Sequence, residues 1–269
     1  MAKISESEIK QAIELFESGI SITKIAKQLN RDRSTLTKHL KNKGINIVQN
    51  NKKNINSNYF KNINEHSAYW LGLLMADGHV DLNNDTIELT LKDKEHIEKF
   101  KADLNSDHKI GIKVINNNEY YRLCFRDKTI TEDLARYGFY NTKTYGWNIP
   151  DISDEYMKDF IRGLFDGDGC FNLNVNKEIY VGESSCSIVC YSKDTLEQIK
   201  MIICTFADIK NNNIAIYTRS NRVPELNIHA LEAIQKFSDW IYKDATIYLN
   251  RKYDKYLEFC RLRTISEKK

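Results

Sequence analysis

The sequence predicts an α+β protein built on a duplicated unit and preceded by a small all-α helix-turn-helix domain. Three observations carry this. An order of helix, two strands, helix, two strands and helix runs from residue 67 to about 152, and again from 153 to 262. A Gly-Leu-apolar-x-small-Asp-Gly string opens each copy, at Gly72–Gly78 and Gly163–Gly169. The charge is also uneven: residues 1–61 carry 12 Lys/Arg against 5 acids, a balance of +7 that leaves −4 for the rest of a chain of net +3. A basic front end on a slightly acidic body points to a polyanionic partner.

The front end reads as three short helices. Ile9, Ala12, Ile13 and Phe16 fall on one face of the first, and Gly19 is expected to stop it. Ser21 or Thr23 suits the cap of the second, which carries Ile22, Ile25, Ala26 and Leu29 and ends at Asn30, a residue that tolerates the left-handed conformation. Ser34 is expected to cap the third, with Leu36 and Leu40 inward and Gly44 closing it. In such a motif the last helix enters the major groove. Arg31, Arg33, Ser34, Thr35, Thr37, Lys38 and Lys41 are therefore the candidate DNA contacts of a domain spanning 1–48. A helical bundle with a merely solvated polar face is the plainer alternative. Removal of residues 1–48 is expected to weaken DNA binding and flatten its salt dependence. Residues 49–66, with seven Asn, three Lys, no Pro and no Gly, read as a linker.

In the first copy, a helix over Tyr69–Gly78 leads into strands near His79–Leu82 and Thr86–Leu91, a helix over Lys94–Leu104, strands near Lys109–Ile115 and Tyr120–Phe125, and a helix over Thr129–Tyr137. The second copy repeats this with a helix ending at Gly169, a longer hairpin through Val189, a helix over Lys193–Phe206, strands near Ile214–Arg219 and Leu226–His229, and a helix over Ala230–Ile241. A tail over 263–269 follows.

The paired strings carry the chemistry. Gly72 and Gly163 allow two helices to approach closely, and Ala76 and Gly167 keep the contact tight one turn later. Gly78 and Gly169 release the chain into the following strand. Asp77 and Asp168 then project from the same end of a helix pair. A carboxylate at a helix C-terminus is unfavourable, and two close together repel. Divalent cations offset both costs, because Mg²⁺ takes oxygen ligands and shares them with phosphate. Asp166, opposite Met75, has no symmetric partner and reads as a polar residue near the helix end.

Trp70–Gly78 and Phe160–Gly169 resemble the paired signature of LAGLIDADG (dodecapeptide, DOD-type) homing endonucleases. Leu134–Thr144 with Gly138 and Asn141-Thr142-Lys143-Thr144, Pro150 ahead of the second string, and Tyr248–Tyr253 are similar too. The likeness covers roughly residues 66–262. It implies a monomer with internal pseudo-twofold symmetry, in which two antiparallel sheets form a saddle on double-stranded DNA. It further implies Mg²⁺ or Mn²⁺, with Asp77, Asp168, Gly78 and Gly169 at the metals. Each acid serves one strand, giving a double-strand break with 3′ overhangs. Family members often place a basic residue at the end of each copy's second strand: Lys92 fits in the first copy, whereas Tyr191 is aligned in the second, with Lys193 as the substitute. Lys109, Lys113, Tyr121, Arg126, Tyr217, Arg219 and Arg222 are candidate strand or turn contacts to DNA.

Other classes fit less well. The six histidines lack zinc-ligand spacing, and the six scattered cysteines suit reduced thiols of a cytoplasmic protein. No stretch approaches the ~20 apolar residues of a membrane span, and the N-terminus has no signal-peptide pattern. Inteins need flanking splicing residues, where this chain opens with a helix-turn-helix. The alternatives are a DNA-binding transcription regulator with an inactive LAGLIDADG unit, which would typically lose the acids, and a maturase acting on intron RNA. Richness in Asn, Lys and Ile fits an AT-rich genome, bacterial or phage.

Overall fold

A computed structural model describes residues 4–18, 20–45, 53–140, 147–173, 175–176, 180–181 and 184–267. Gly19, residues 46–48 at the end of the expected helix-turn-helix domain, residues 49–52 of the expected linker and Asn141–Thr144 lie outside the described residues. The chain divides into two compact units, Met1–Lys53 and Asn54–Lys269.

The first unit contains α1 (Glu6–Glu17), α2 (Ile22–Gln28) and α3 (Arg33–Asn42). Each starts where a side-chain oxygen satisfies an orphan amide. Ser5 and Glu8 form a capping box at α1, and Ser21 accepts from the Lys24 amide at α2. At α3 the cap is Asp32 rather than the expected Ser34: its carboxylate accepts from the Thr35 amide, and the Ser34 hydroxyl donates to it as well. A carboxylate one position before the basic helix makes the stronger acceptor. Asn30 (φ 50) and Gly44 (φ 79) adopt the left-handed conformations expected of them. Ala12, Ile22, Ile25, Ala26, Leu36 and Leu40 form a separate small core.

The second unit is the duplicated one. Its first copy holds α4 (Glu65–Asp77), β1 (Gly78–Asp81), β2 (Thr86–Leu91), α5 (Lys94–Asp103), β3 (Gly111–Ile115), β4 (Asn118–Arg126) and α6 (Lys128–Arg136). Its second holds α7 (Met157–Asp168), β5 (Gly169–Asn172), a small β6–β7 pair (Val175–Asn176, Tyr180–Val181), β8 (Ser185–Val189), α8 (Lys193–Phe206), β9 (Ile214–Tyr217), β10 (Glu225–Ile228) and α9 (Leu231–Tyr242). The two antiparallel sheets are ordered β1-β2-β4-β3 and β5-β8-β10-β9, the same topology twice. Register shows the insertion in the second copy. Gly78 pairs with Leu89 and Gly169 with Ile188, so the lead glycines are 91 residues apart but their partners are 99 apart.

Helices α4 and α7 lie at the centre. Every residue from Ser67 to Met75 is buried, which explains a helix apolar on all sides. The strands alternate as one-sided sheets do: Ile87, Leu89 and Leu91 face the core while Thr86, Glu88 and Thr90 face away. Among the described residues no helix is long and apolar enough to cross a membrane.

Two parts differ from expectation. The stretch read as linker is docked from Asn54 onward: the Asn56 amide donates to the Leu104 carbonyl (2.8 Å), and Phe60 is fully buried. Ile55, Tyr59, Phe60 and Ile63 supply the apolar contacts that the surrounding asparagines mask. An unforeseen helix, α10 (Asn250–Glu267), follows α9 and absorbs most of the expected tail. It buries Lys252, Tyr256, Phe259 and Leu262 along one stripe.

Candidate active site

The α4–α7 crossing is reciprocal and too tight for side chains. A Cβ on Gly72 would overlap the Phe160 carbonyl oxygen and lie 2.8 Å from the Leu164 amide; a Cβ on Gly163 would overlap the Tyr69 carbonyl oxygen and lie 2.9 Å from the Leu73 amide. These are equivalent atoms related by the 91-residue offset. One turn later a Cβ on Gly167 would overlap Ala76 and sit 3.2 Å from Asp77 Oδ2. Asp77 thus points over the other helix's small residue. Gly78 and Gly169 have φ of −77° and −86°, so they are not left-handed caps. They are small for space instead: a Cβ on Gly78 would fall 2.6 Å from the Leu74 carbonyl, and one on Gly169 would overlap the Phe165 carbonyl.

Each acid opens into its own cleft. Exposed Asp77 shares a cleft of about 510 Å³ with Gly167, Lys92, Asp93, Tyr120 and Arg251. Half-buried Asp168 shares one of about 430 Å³ with Ala76, Trp147, Val189, Cys190 and Tyr191. Either has room for a phosphate and its waters, at roughly 30 Å³ per water. In the first cleft Lys92 Nζ stands 5.6 Å from the centre of the Tyr120 ring, and Arg251 Nε is 3.4 Å from Asp93 Oδ2.

The second basic position does not fall on Lys193. The strand register aligns Lys92 with Tyr191, and Lys193 with Lys94: both lysines open helices, α8 and α5, after the caps Ser192 and Asp93. Lys193 is exposed and is not among the residues lining the Asp168 cleft.

The remaining candidates sort by pleat. Lys113 pairs with Tyr120, and Arg126 with Thr86, all on the face turned away from the helices. Tyr121 pairs with Leu91 and belongs to the core-side face, a one-residue shift from Tyr120 and Arg122. Tyr217 is exposed on the outward face of the second sheet. Lys109 precedes β3, and Arg219 and Arg222 occupy the β9–β10 turn; all three are exposed. In the helical unit, Arg33, Ser34, Thr35, Lys38 and Lys41 are exposed and Thr37 half-buried. Arg31 is committed to Glu8, to which its guanidinium donates at 3.0–3.1 Å, tying the α2–α3 turn to α1.

Three residues at or behind the clefts were given no role by sequence reasoning. Asp166 is fully buried and accepts from Tyr69 (2.8 Å), Tyr242 (2.6 Å) and the Leu249 amide (2.7 Å), joining α4, α7, α9 and the chain entering α10. Burial pushes its carboxyl above the usual range, and these hydrogen bonds pull it back. Lys252 donates to the Phe165 carbonyl (2.8 Å) and to the Gly169 carbonyl, closing the C-terminal end of α7; burial brings its ammonium down to about 8. Arg251, its neighbour, enters the Asp77 cleft from the far end of the chain. The Tyr248–Tyr253 likeness was the available signal.

Tyr69 also accepts from buried His96, 2.7 Å away, because its own proton goes to Asp166. Burial holds the His96 imidazole down at about 3, hence neutral. Between pH 6.5 and about 3 the unfolded chain takes a proton there that the native state refuses, so stability falls as pH drops through that window, by about 1.4 kcal/mol per unit from this group. Urea unfolding at pH 5 is expected to show about 2 kcal/mol less stability than at pH 7. His96→Gln should remove most of that difference; an unchanged difference would refute the assignment.

A hard divalent ion is compatible with what the clefts offer, which at the helix ends is carboxylate and backbone oxygen. Among the described residues no three His, Cys, Asp or Glu side chains converge on one point, so such an ion would complete its shell with water and phosphate.

Comparison with known proteins now places the fold. The LAGLIDADG-like domain family matches residues 64–131 and 155–241, more than half the chain, and the protein belongs to that family. Residues 2–43 match the helix-turn-helix domain of resolvase. An uncharacterized protein of Methanocaldococcus jannaschii (MJ0314) is 28% identical over 183 residues, covering 65% of this chain and 64% of that protein. A probable translation initiation factor IF-2 of the same organism is 28% identical over 158 residues, covering 54% of this chain and 12% of that one. The chain therefore spans less than two thirds of either relative. Among solved structures, the homing endonuclease I-WcaI bound to its DNA recognition sequence superposes with TM-score 0.52 at 13% identity, covering 74% of this chain and 90% of that one. The LAGLIDADG meganuclease I-AabMI bound to uncleaved DNA gives 0.52 at 13%, covering 77% and 92%. At that identity the likeness is one of fold.

Proposed function

We propose that this chain is a divalent-metal-dependent, site-specific DNA endonuclease that makes a double-strand break with 3′ overhangs, acting as a monomer. The observation that carries the reading is the pair of carboxylates, Asp77 and Asp168, each at the C-terminal end of a packed helix and each in a separate cleft over the other helix's small residue. Two clefts related by the duplication suit two antiparallel strands of one duplex.

Mg²⁺ or Mn²⁺ bound by Asp77 and Asp168 would supply charge stabilisation and a more acidic attacking water. The chain's own groups do the rest. In the first cleft Lys92 and Arg251 set positive charge beside Asp77, where a phosphate would sit; in the second, Tyr191 offers a hydroxyl in the aligned position. Lys252 and Asp166 fix the α7 end and so the direction of Asp168. Gly78 and Gly169 remain candidates for backbone ligation, although the Gly169 carbonyl already accepts from Lys252. The exposed face of α3, with Arg33, Lys38 and Lys41, is the unit's DNA-contacting surface.

The test is incubation of the purified protein with Mg²⁺ and DNA from around its own gene, with and without EDTA. Linear product only in the metal arm is expected. Tight binding with no cutting in either arm would instead establish a regulator, and accelerated splicing of an intron transcript a maturase.

A further inference from the structure

The outward face of the first sheet carries an ion pair outside both clefts. Arg122 on β4 donates through Nη2 to Glu88 Oε2 on β2 (2.6 Å), and the Thr90 hydroxyl donates to Glu88 Oε1 (3.2 Å). Thr90 stands directly opposite Arg122 in the ladder, and Glu88 is the next residue of β2 on that face. The Glu88 side chain is 19% exposed and that of Arg122 42%, so the carboxylate forms the floor and the guanidinium the surface. Burial pushes the Glu88 carboxyl up, and the Arg122 guanidinium more than reverses this, which keeps the pair ionised.

The pair stands beside the Asp77 cleft. Thr90 and Tyr120, which line that cleft, are the outward-facing neighbours of Arg122, one across the ladder and one along β4. These steps are short, ~4.8 Å between strands and ~6.7 Å for two residues along one. A duplex whose phosphate occupies the cleft lies over Arg122 within a few base pairs of the cut, at roughly 3.4 Å per pair.

What surrounds the guanidinium leaves its end free. Its ladder partner on β3 is Gly111, where even a Cβ would meet nothing nearer than the Arg122 carbonyl at 3.8 Å. Nε is buried and Nη2 has given one proton to Glu88, so what remains for a ligand is Nη1 and the second Nη2 proton. Two N–H donors in a fixed fork match N7 and O6 of guanine, and no other base shows two acceptors in the major groove. A guanidinium already held in place loses little freedom on meeting them. The second copy lacks the pair: register sets Ser187 where Glu88 stands and Glu225 where Arg122 stands.

We propose that Arg122 reads a guanine in the target under the first copy, with Glu88 as its positioning residue. The corresponding position across the cut carries no such requirement. The proposal rests on the endonuclease reading for the face that the duplex occupies. In the test, the full-length chain selects binders from a random duplex pool, with Ca²⁺ in place of Mg²⁺. Each base pair of the selected site is then replaced in turn. One G·C pair, a few base pairs from the cut that Mg²⁺ produces, is expected to weaken wild-type binding roughly five- to 150-fold when replaced. Arg122→Ala should weaken the selected site by the same factor and become indifferent at that pair while keeping every other preference. Arg122→Lys, which keeps the charge without the fork, should lose the guanine as well. Glu88→Gln should still choose guanine, by a severalfold smaller margin. An unchanged base profile in Arg122→Ala would mark a structural pair and overturn the proposal. So would a loss spread evenly over all sequences and restored by Arg122→Lys, which marks a phosphate contact. In either case cutting of the selected site with Mg²⁺ would leave the nuclease standing. Guanine lost in Arg122→Ala with no cutting in Mg²⁺ would sink the nuclease alone, and failure to bind any duplex would remove both.

Discussion

Asp77→Asn and Asp168→Asn are each expected to convert linear product into nicked circle on a supercoiled plasmid carrying the target, and the double variant to leave the plasmid intact. Each carboxylate has its own cleft, so removing one leaves the other competent for a single strand. Asn keeps the shape and loses the charge that would hold a divalent ion. The affected strand should be cut more slowly by on the order of 10²–10³, the scale of removing one group that stabilises developing charge. Folding should be little changed, because Asp77 is exposed and Asp168 only half-buried. Linear product at the wild-type rate from either single variant would show that these acids are not the catalytic pair.

Gly163→Ala should be the most damaging glycine-to-alanine change among the described residues. The new carbon meets the Tyr69 carbonyl and the Leu73 amide, which are backbone atoms of a helix and cannot rotate aside. Ordinary overpacking costs about 1–3 kcal/mol because side chains give way; here α4 and α7 must separate, and the cost should reach about 3 kcal/mol or more. For a unit of this size that lowers the melting temperature by roughly 6–12 °C. Gly111→Ala is the control: its nearest atom is the Arg122 carbonyl at 3.8 Å, an ordinary contact. Equal melting of the two variants would mean the seam is not as tight as it stands.

The duplication, the sheet strands and the seam glycines were legible because each follows from spacing that physics enforces: alternation in strands, small residues at a helix crossing, Asp-Gly at the helix end. What stayed hidden depends on contacts between distant segments. Asp166 looked idle because its three donors, Tyr69, Tyr242 and Leu249, come from elsewhere in the chain. Helix α10 was obscured because its buried stripe begins with Lys252, while Leu257 points outward at 48% exposure. Pairing keeps Tyr191 in the position aligned with Lys92, as the sequence spacing has it, and adds what spacing does not show, that Lys193 opens helix α8. Tyr121 likewise differs from Tyr120 by one step of the pleat.

The two helices meet through mirrored backbone atoms, Gly72 on Phe160 and Leu164, Gly163 on Tyr69 and Leu73. Neither half is at liberty to drift along this hinge line without breaking its twin. The outer strands carry no such obligation. A chain built this way can accumulate changes on its outer strands while the seam between its halves stays frozen.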